Sequence, residues 1–262
     1  MVGVLIHPSV DRRGEAIRAL TERMAAIEQQ VSQHTVCECE TTWPAPLDRI
    51  SPAVVHEWFG PGAMRSGSWS APRVLFVRLA RTLASQTNHG LVIWIGQSVW
   101  PAAQLLARHG SLLNRSLLID PATDHERLWA IDVCARSRGA LVTIADGSAL
   151  KLSHTRRLQL GAEHSGGFVM LARPRNELSV PSAATMRWGV HRARSPSSRP
   201  RWSVELLRCK GVQRMTGKDA SSRSLILEHD RATGCLRVPA ELVSGSLAPQ
   251  PAVEKTTVRR TA

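Results

Sequence analysis

No run of about 18 uncharged apolar residues occurs in the 262-residue chain, so no membrane-spanning helix is expected. The opening stretch MVGVLIHPSVDRRGEAIRAL lacks the basic start and small-residue cleavage site of a secretory signal. A soluble, intracellular protein is therefore expected. The five cysteines, Cys37, Cys39, Cys134, Cys209 and Cys235, form one C-x-C and three scattered singles. That spacing fits neither a zinc site nor a disulfide framework, so no metal is expected. The ten histidines include no H-E-x-x-H, and no G-x-S-x-G elbow is present, which removes the commonest hydrolase readings.

Lysine is also scarce: 30 of the 34 basic residues are arginine, the better fork for phosphate and carboxylate. With 43% apolar and 21% charged residues, the chain can build a packed core and is not disordered throughout. Its net charge of +13 is unevenly spread. Residues 1–150 carry 14 arginines against 13 acids, whereas residues 151–262 carry 20 basic residues against 8 acids. A basic C-terminal part suggests an anionic partner, nucleic acid first.

Residues 9–30 place Ile17, Leu20, Met24 and Ile27 near the helical period, which predicts one amphipathic helix. Residues 31–52, with Pro44, Pro46 and Pro52, read as a linker. From 53 to 172 the chain alternates. Apolar runs at 53–59, 91–95, 115–119, 140–145 and 168–172 read as strands, with helices at about 73–87, 100–109, 124–138 and 153–165. Thr123 with Glu126 makes a capping box, Ser153 is placed to cap the next helix, and Gly166-Gly167 to end it. Continuous rather than alternating apolar strands belong to sheets covered on both faces. The expected fold is α/β, a doubly wound and mainly parallel sheet. After 180 the pattern alternates, with Ala184, Met186, Trp188 and Val190 on one face, then Trp202, Val204 and Leu206. These predict an antiparallel extension, continued by short strands near 224–228 and 235–238. The division is 1–44 as N-terminal helix and linker, 45–239 as the main domain, and 240–262 as a disordered tail.

Ligands of such sheets bind beyond the carboxyl ends of the strands. The first strand ends in Phe59-Gly60-Pro61-Gly62, and a phosphate loop is due there. The G-x-x-x-x-G frame survives in Gly62 and Gly67, but Ser68 and Trp69 stand where Lys and Ser/Thr belong. The second run ends in Gly96-Gln97, where an acid would polarise a hydrolytic water, and a neutral amide cannot act as general base. Asp146 ends the run 140–145 in the place of a Walker B carboxylate. Without its companions it is expected to cap or to bond Ser148 or a backbone amide. No catalytic residue and no cofactor is expected, and ATP is not expected to bind.

VHEWFGPG (55–62) resembles the strand entering the phosphate loop of RecA recombinase, and residues 135–150 resemble the segment ending in its Walker B strand. The likeness is closer to the ImuA family, RecA-like and SulA-related accessory proteins of bacterial mutagenesis cassettes. It is carried by LWAIDVCARSRGALVTIAD (128–146), LSHTRRLQLGAEHSG (152–166), SAATMRWGV (182–190), PRWSVELLRCKG (200–211) and LEHD (227–230). The resemblance implies a RecA-like P-loop-type core without working phosphate-loop chemistry. It implies a role in DNA repair, the SOS response and error-prone translesion synthesis in the bacterial cytoplasm or at the nucleoid. The implied partners are an ImuB-like relative of the Y-family polymerases and an error-prone replicative-type polymerase, with DNA and RecA itself as further candidates. An active ATPase or recombinase, and a division regulator without DNA contact, are the alternatives.

One surface feature stands apart from that likeness. If Trp188 and Trp202 face the core, Arg187 and Arg201 face outward on their strands. Arg192, Arg194 and Arg199 lie on the loop between them. Those five guanidinium groups are the candidate contacts to DNA or to an acidic partner.

Overall fold

The computed structural model describes residues 5–6, 22, 46–60, 71–103, 106, 110–196, 198–210, 224–229 and 236–239. Their strands are β1 (Leu5–Ile6), β2 (Val54–Phe59), β3 (Leu91–Ile95), β4 (Ser116–Ile119), β5 (Ala140–Asp146), β6 (Phe168–Arg173), β7 (Met186–Ala193), β8 (Arg201–Cys209), β9 (Ser224–His229) and β10 (Leu236–Arg237). The helices are α1 (Arg73–Ser85), α2 (Gly110–Asn114), α3 (Asp124–Arg136) and α4 (Leu152–Ser165).

The ten strands form one sheet in the order β1-β4-β3-β5-β6-β2-β7-β8-β9-β10. Every pairing from β1 through β7 is parallel, and the remaining three are antiparallel. This is the doubly wound sheet with an antiparallel extension that the apolar patterning predicts. The central strands are apolar along their whole length because both of their faces are covered. α1 and α2 pack with Trp58, Val92, Trp94, Val142 and Ile144 on one face. α3 and α4 pack with Val55, Ile93, Ile95, Val169 and Leu171 on the other. Each large apolar side chain so buried stabilises the fold by about 1.5–3 kcal/mol.

Trp58 and Trp188, neighbours in the β2–β7 register, stack at 5.0 Å, and Phe76 of α1 meets Trp58 edge-on at 5.9 Å. Such aromatic pairs add about 0.5–1.5 kcal/mol each to plain burial. They tie the extension to the parallel core, because Trp188 starts the run that continues into β8. Beneath them lies His56, whose Nδ1 accepts from Trp188 Nε1 at 3.3 Å and whose Nε2 donates to Ser51 O at 2.9 Å.

Local signals decide most helix ends. Thr123 Oγ1 accepts from Glu126 N at 3.2 Å, and the Glu126 carboxylate accepts from Ala122 N at 2.9 Å, one residue before the N-cap. Gly166 closes α4 with φ 76°, the left-handed region that suits glycine. Ser153 does not cap this helix. It lies within the first turn, Lys151 is the N-cap, and His154 Nδ1 accepts from Lys151 N at 3.3 Å.

Two differences concern the N-terminal region. Leu5 and Ile6 pair in parallel with β4, giving the sheet a strand from a stretch read as helix and linker. Leu47 opens a 3-10 turn, Leu47–Arg49, and is fully buried against the core, so the expected linker ends earlier. The predicted amphipathic helix at 9–30, apart from Glu22, and the predicted tail beyond residue 239 lie outside the described residues. No described helix is long and apolar enough to cross a membrane.

Candidate functional site

The carboxyl ends of β3, β4 and β5 lie side by side, since Ile95 pairs with both Ile119 and Ala145. Beyond them the backbone turns sharply. Gly96 adopts φ 90°, and a Cβ there would sit 3.1 Å from Cβ of Asp146. Glycine at this position therefore lets the β3 end pass close to Asp146 and sets Gln97 and Ser98 along the same edge.

Asp146 is enclosed by donors. Its Oδ1 accepts from Ser148 N at 2.9 Å and Ser148 Oγ at 2.6 Å, and it pairs with Arg127 Nη1 at 2.9 Å. Its Oδ2 accepts from Ser98 Oγ at 2.7 Å. Three of these contacts fall on Oδ1 and one on Oδ2, so the carboxylate is engaged within the fold. Arg127, nearly buried on α3, also donates to Ser148 Oγ at 2.7 Å, Ser148 O at 3.0 Å and Asp124 Oδ1 at 2.9 Å. A cation at Oδ1 would have to displace Ser148 and Arg127, whereas Oδ2 meets Ser98. The bond to Ser148 follows the sequence expectation. Arg127 escapes sequence reasoning, because nothing in the spacing of residues 127 and 146 announces a pair that α3 and β5 bring together.

Gln97 is exposed and donates through Nε2 to Asp120 Oδ2 at 2.9 Å, so its amide is turned towards the β4 end. Gly62, Gly67 and Ser68 lie outside the described residues. Among the described residues, no group of three or more His, Cys, Asp or Glu side chains could hold a metal ion.

The arginine cluster is corrected by the structure. Arg187 faces away from Trp188 but is buried: its Nε donates to Glu57 Oε2 at 2.9 Å, and its guanidinium lies 4.7 Å from the centroid of the Phe59 ring. The β2–β7 register sets Arg187 directly beside Glu57. Glu57 also receives Arg173 Nη1 at 2.6 Å and Ser182 Oγ at 2.7 Å. Glu177 completes this network, accepting from Arg173 at 2.7 Å and from Ala149 N at 2.9 Å. Ala149 has a φ of 59°, so this bond helps hold a strained turn before α4.

Arg201 is buried for a parallel reason. It pairs across the β8–β9 register with Glu228, donating from Nε and Nη2 at 2.9 and 2.7 Å. Arg199 reaches the other oxygen of Glu228 at 3.3 Å. Arg192 and Arg194 remain exposed, and Arg192 lies over the Trp202 ring at 5.3 Å. Of the five predicted contacts, two are therefore internal and one is tethered. The signal available in the sequence is an acid inside an apolar strand, Glu57 in VVHEWF and Glu228 in SLILEH. A buried carboxylate needs a cationic partner.

Burial pushes the His56 imidazole down to about 4 and the Cys134 thiol up to about 12. Both groups are neutral and structural at neutral pH, not reactive.

No protein-family model matches the chain. It is 27% identical over 205 residues to Protein ImuA of Caulobacter vibrioides, in strain NA1000 / CB15N and in strain ATCC 19089 / CIP 103742 / CB 15 alike. The alignment covers 66% of this chain and 83% of that protein. Among solved structures the crystal structure of the RadB recombinase matches with a TM-score of 0.51 at 14% identity. It covers 73% of this chain and 96% of the other. The fold is RecA-like.

Proposed function

We propose that this chain, a RecA-like protein similar to ImuA, is a non-catalytic accessory factor in DNA damage tolerance. It acts beside a polymerase relative during error-prone translesion synthesis. The observation that carries the reading is the state of Asp146. At the strand end where a RecA-like ATPase would need a free acid, the carboxylate is held by Arg127, Ser98 and Ser148. This engagement of Asp146 supports a strand end that does not serve a magnesium nucleotide. Gln97, neutral and turned to Asp120, offers no base for activating water. Without turnover, the core serves as a rigid platform.

The likeness to ImuA over two thirds of the chain supports the placement in damage tolerance. The partners are an ImuB-like protein and an error-prone polymerase, with contact to DNA or RecA through the basic C-terminal part. Arg192 and Arg194 are the exposed residues of that part best placed for phosphate.

ATP hydrolysis by the full chain, with and without single-stranded DNA, is expected to stay at background. Turnover that disappears in Asp146→Ala would overturn the non-catalytic reading. Co-purification from DNA-damaged bacterial cells is expected to bring down a Y-family polymerase relative, and its absence would remove the accessory role.

A further inference from the structure

α4 turns Thr155, Leu158, Gly161 and Ala162 into the core. Its outer face is not simply polar. Leu152 is 51% and Leu160 60% exposed, the two most exposed large apolar side chains among the described residues. Together with Arg156 they are spaced by four residues, so they share one stripe of the helix, and the two leucines lie about 12 Å apart along it. Single exposed leucines are ordinary, but two on one stripe make an anchor pair.

The surroundings of that stripe are basic. Arg156 and Arg157 are exposed on α4 and Lys151 at its N-cap, with Arg136 at the end of α3 and Arg138 just beyond it. One acid, Asp132, is shared between Arg136 at 3.2 Å and Arg157 at 3.0 Å. The other acid of this face, Glu163, accepts from Gln159 at 3.0 Å. Arg136 and Arg157 are themselves paired with Asp132, so the excess of positive charge comes from Lys151, Arg156 and Arg138. The same field, after burial as the larger cause, holds the His154 imidazole below its ordinary range through Arg157 and Lys151.

We propose that the outer face of α4 docks a short acidic amphipathic helix of a partner protein. Two apolar side chains of that helix pack on Leu152 and Leu160, and its carboxylates meet Arg156 and Lys151. Complementary charge would orient the encounter while the leucine contact holds it. Nucleic acid is the less suitable occupant, since an aliphatic pair offers bases no aromatic platform. The inference rests on the accessory reading for its need of a protein partner and adds the surface and the chemistry of the docked segment.

The test uses the full chain and a fluorescein-labelled peptide helix carrying two leucines seven residues apart flanked by glutamates. Saturable binding that weakens with salt is expected, and it is lost when the glutamates become lysines. Leu152→Ser with Leu160→Ser should weaken it about tenfold or more. Both positions are exposed, so an unchanged melting curve will show that the fold is intact. Arg156→Glu should weaken the acidic peptide, and a peptide with lysine at the facing position should recover binding to that variant. Equal affinity of wild type and the double-serine variant, or no saturable binding, would overturn the proposal. So would a single-stranded oligonucleotide whose affinity falls with the same leucine substitutions. ATP turnover would overturn the accessory reading and leave the peptide result standing, so the two failures are distinguishable.

Discussion

Glu57 has no exposed surface, yet it sits in the middle of an apolar strand. Its two oxygens hold Arg173, Arg187 and Ser182. The attraction repays desolvation only because every member is satisfied. Glu57→Gln keeps the size and removes the charge, leaving Arg187 without its acid. We expect a loss of about 3–5 kcal/mol, read as a lower denaturant midpoint. By contrast, Arg194→Ala on the surface should stay within about 0.5 kcal/mol. His56 provides a second test at the same scale. Its pKa in the fold is about 4, below the ordinary 6.5, so the folded state resists a proton that the unfolded chain accepts. Stability contributed by the neutral ring is thus complete above about pH 6.5 and declines as pH falls towards 4, by about 3 kcal/mol in all. Unfolding curves between pH 7 and 4 should show that decline, and His56→Gln should flatten it.

The β7–β8 hairpin shows how one element divides a run of arginines into different roles. Alternation along β7 sets Arg187 on one face and Trp188 and Arg192 on the other. Arg187 then meets Glu57, and Arg201 meets Glu228, while Arg192 stacks on Trp202 near the hairpin end. Substituting Arg187 or Arg201 by alanine should therefore damage the fold before it reports on any ligand. Arg192→Ala with Arg194→Ala tests DNA contact cleanly. If these two residues touch phosphate, single-stranded DNA affinity should fall in the double variant. The slope of log K against log salt should become shallower by about 0.7 for each phosphate that is no longer neutralised on a single strand. Unchanged affinity and slope would remove the hairpin from the DNA-binding surface. On α4 the position of the sheet beneath the helix buries Thr155, Leu158 and Ala162 and leaves Leu152 and Leu160 exposed.

At the scale of the whole molecule, the charge of +13 separates into internal and external parts. Arg173, Arg187 and Arg201 belong to the interior, as does Arg127 beside Asp146. Arg115 likewise serves the fold, donating to Ala84 O and Thr87 O at 2.7 Å and to Gly90 O at 2.9 Å, where α1 gives way to β3. Arg127, Arg173, Arg187 and Arg201 are matched by Asp146, Glu57, Glu177 and Glu228, so their pairing removes as many acids as bases and leaves the net excess with the other residues. Among the described residues, exposed cations include Arg192 and Arg194 at the hairpin end and Arg156 and Arg157 on α4, two surfaces that separate ligands could use.

From β2 onward the order of elements is legible in the sequence, because strand and helix periodicity, the Thr123 cap and the Gly166 stop act within a few residues of chain. The sequence also shows Ser68, Trp69 and Gln97 at positions where a phosphate loop and a catalytic acid are expected, since those are matters of residue identity. Tertiary structure alone decided which charges are free. Glu57 and Arg187 are 130 residues apart, and Asp146 and Arg127 lie in different layers, one in the sheet and one on a helix above it. A side chain's partner depends on strand order and register, which local patterning does not encode. In a low-dielectric interior that partner decides whether an arginine is part of the core or part of a binding surface.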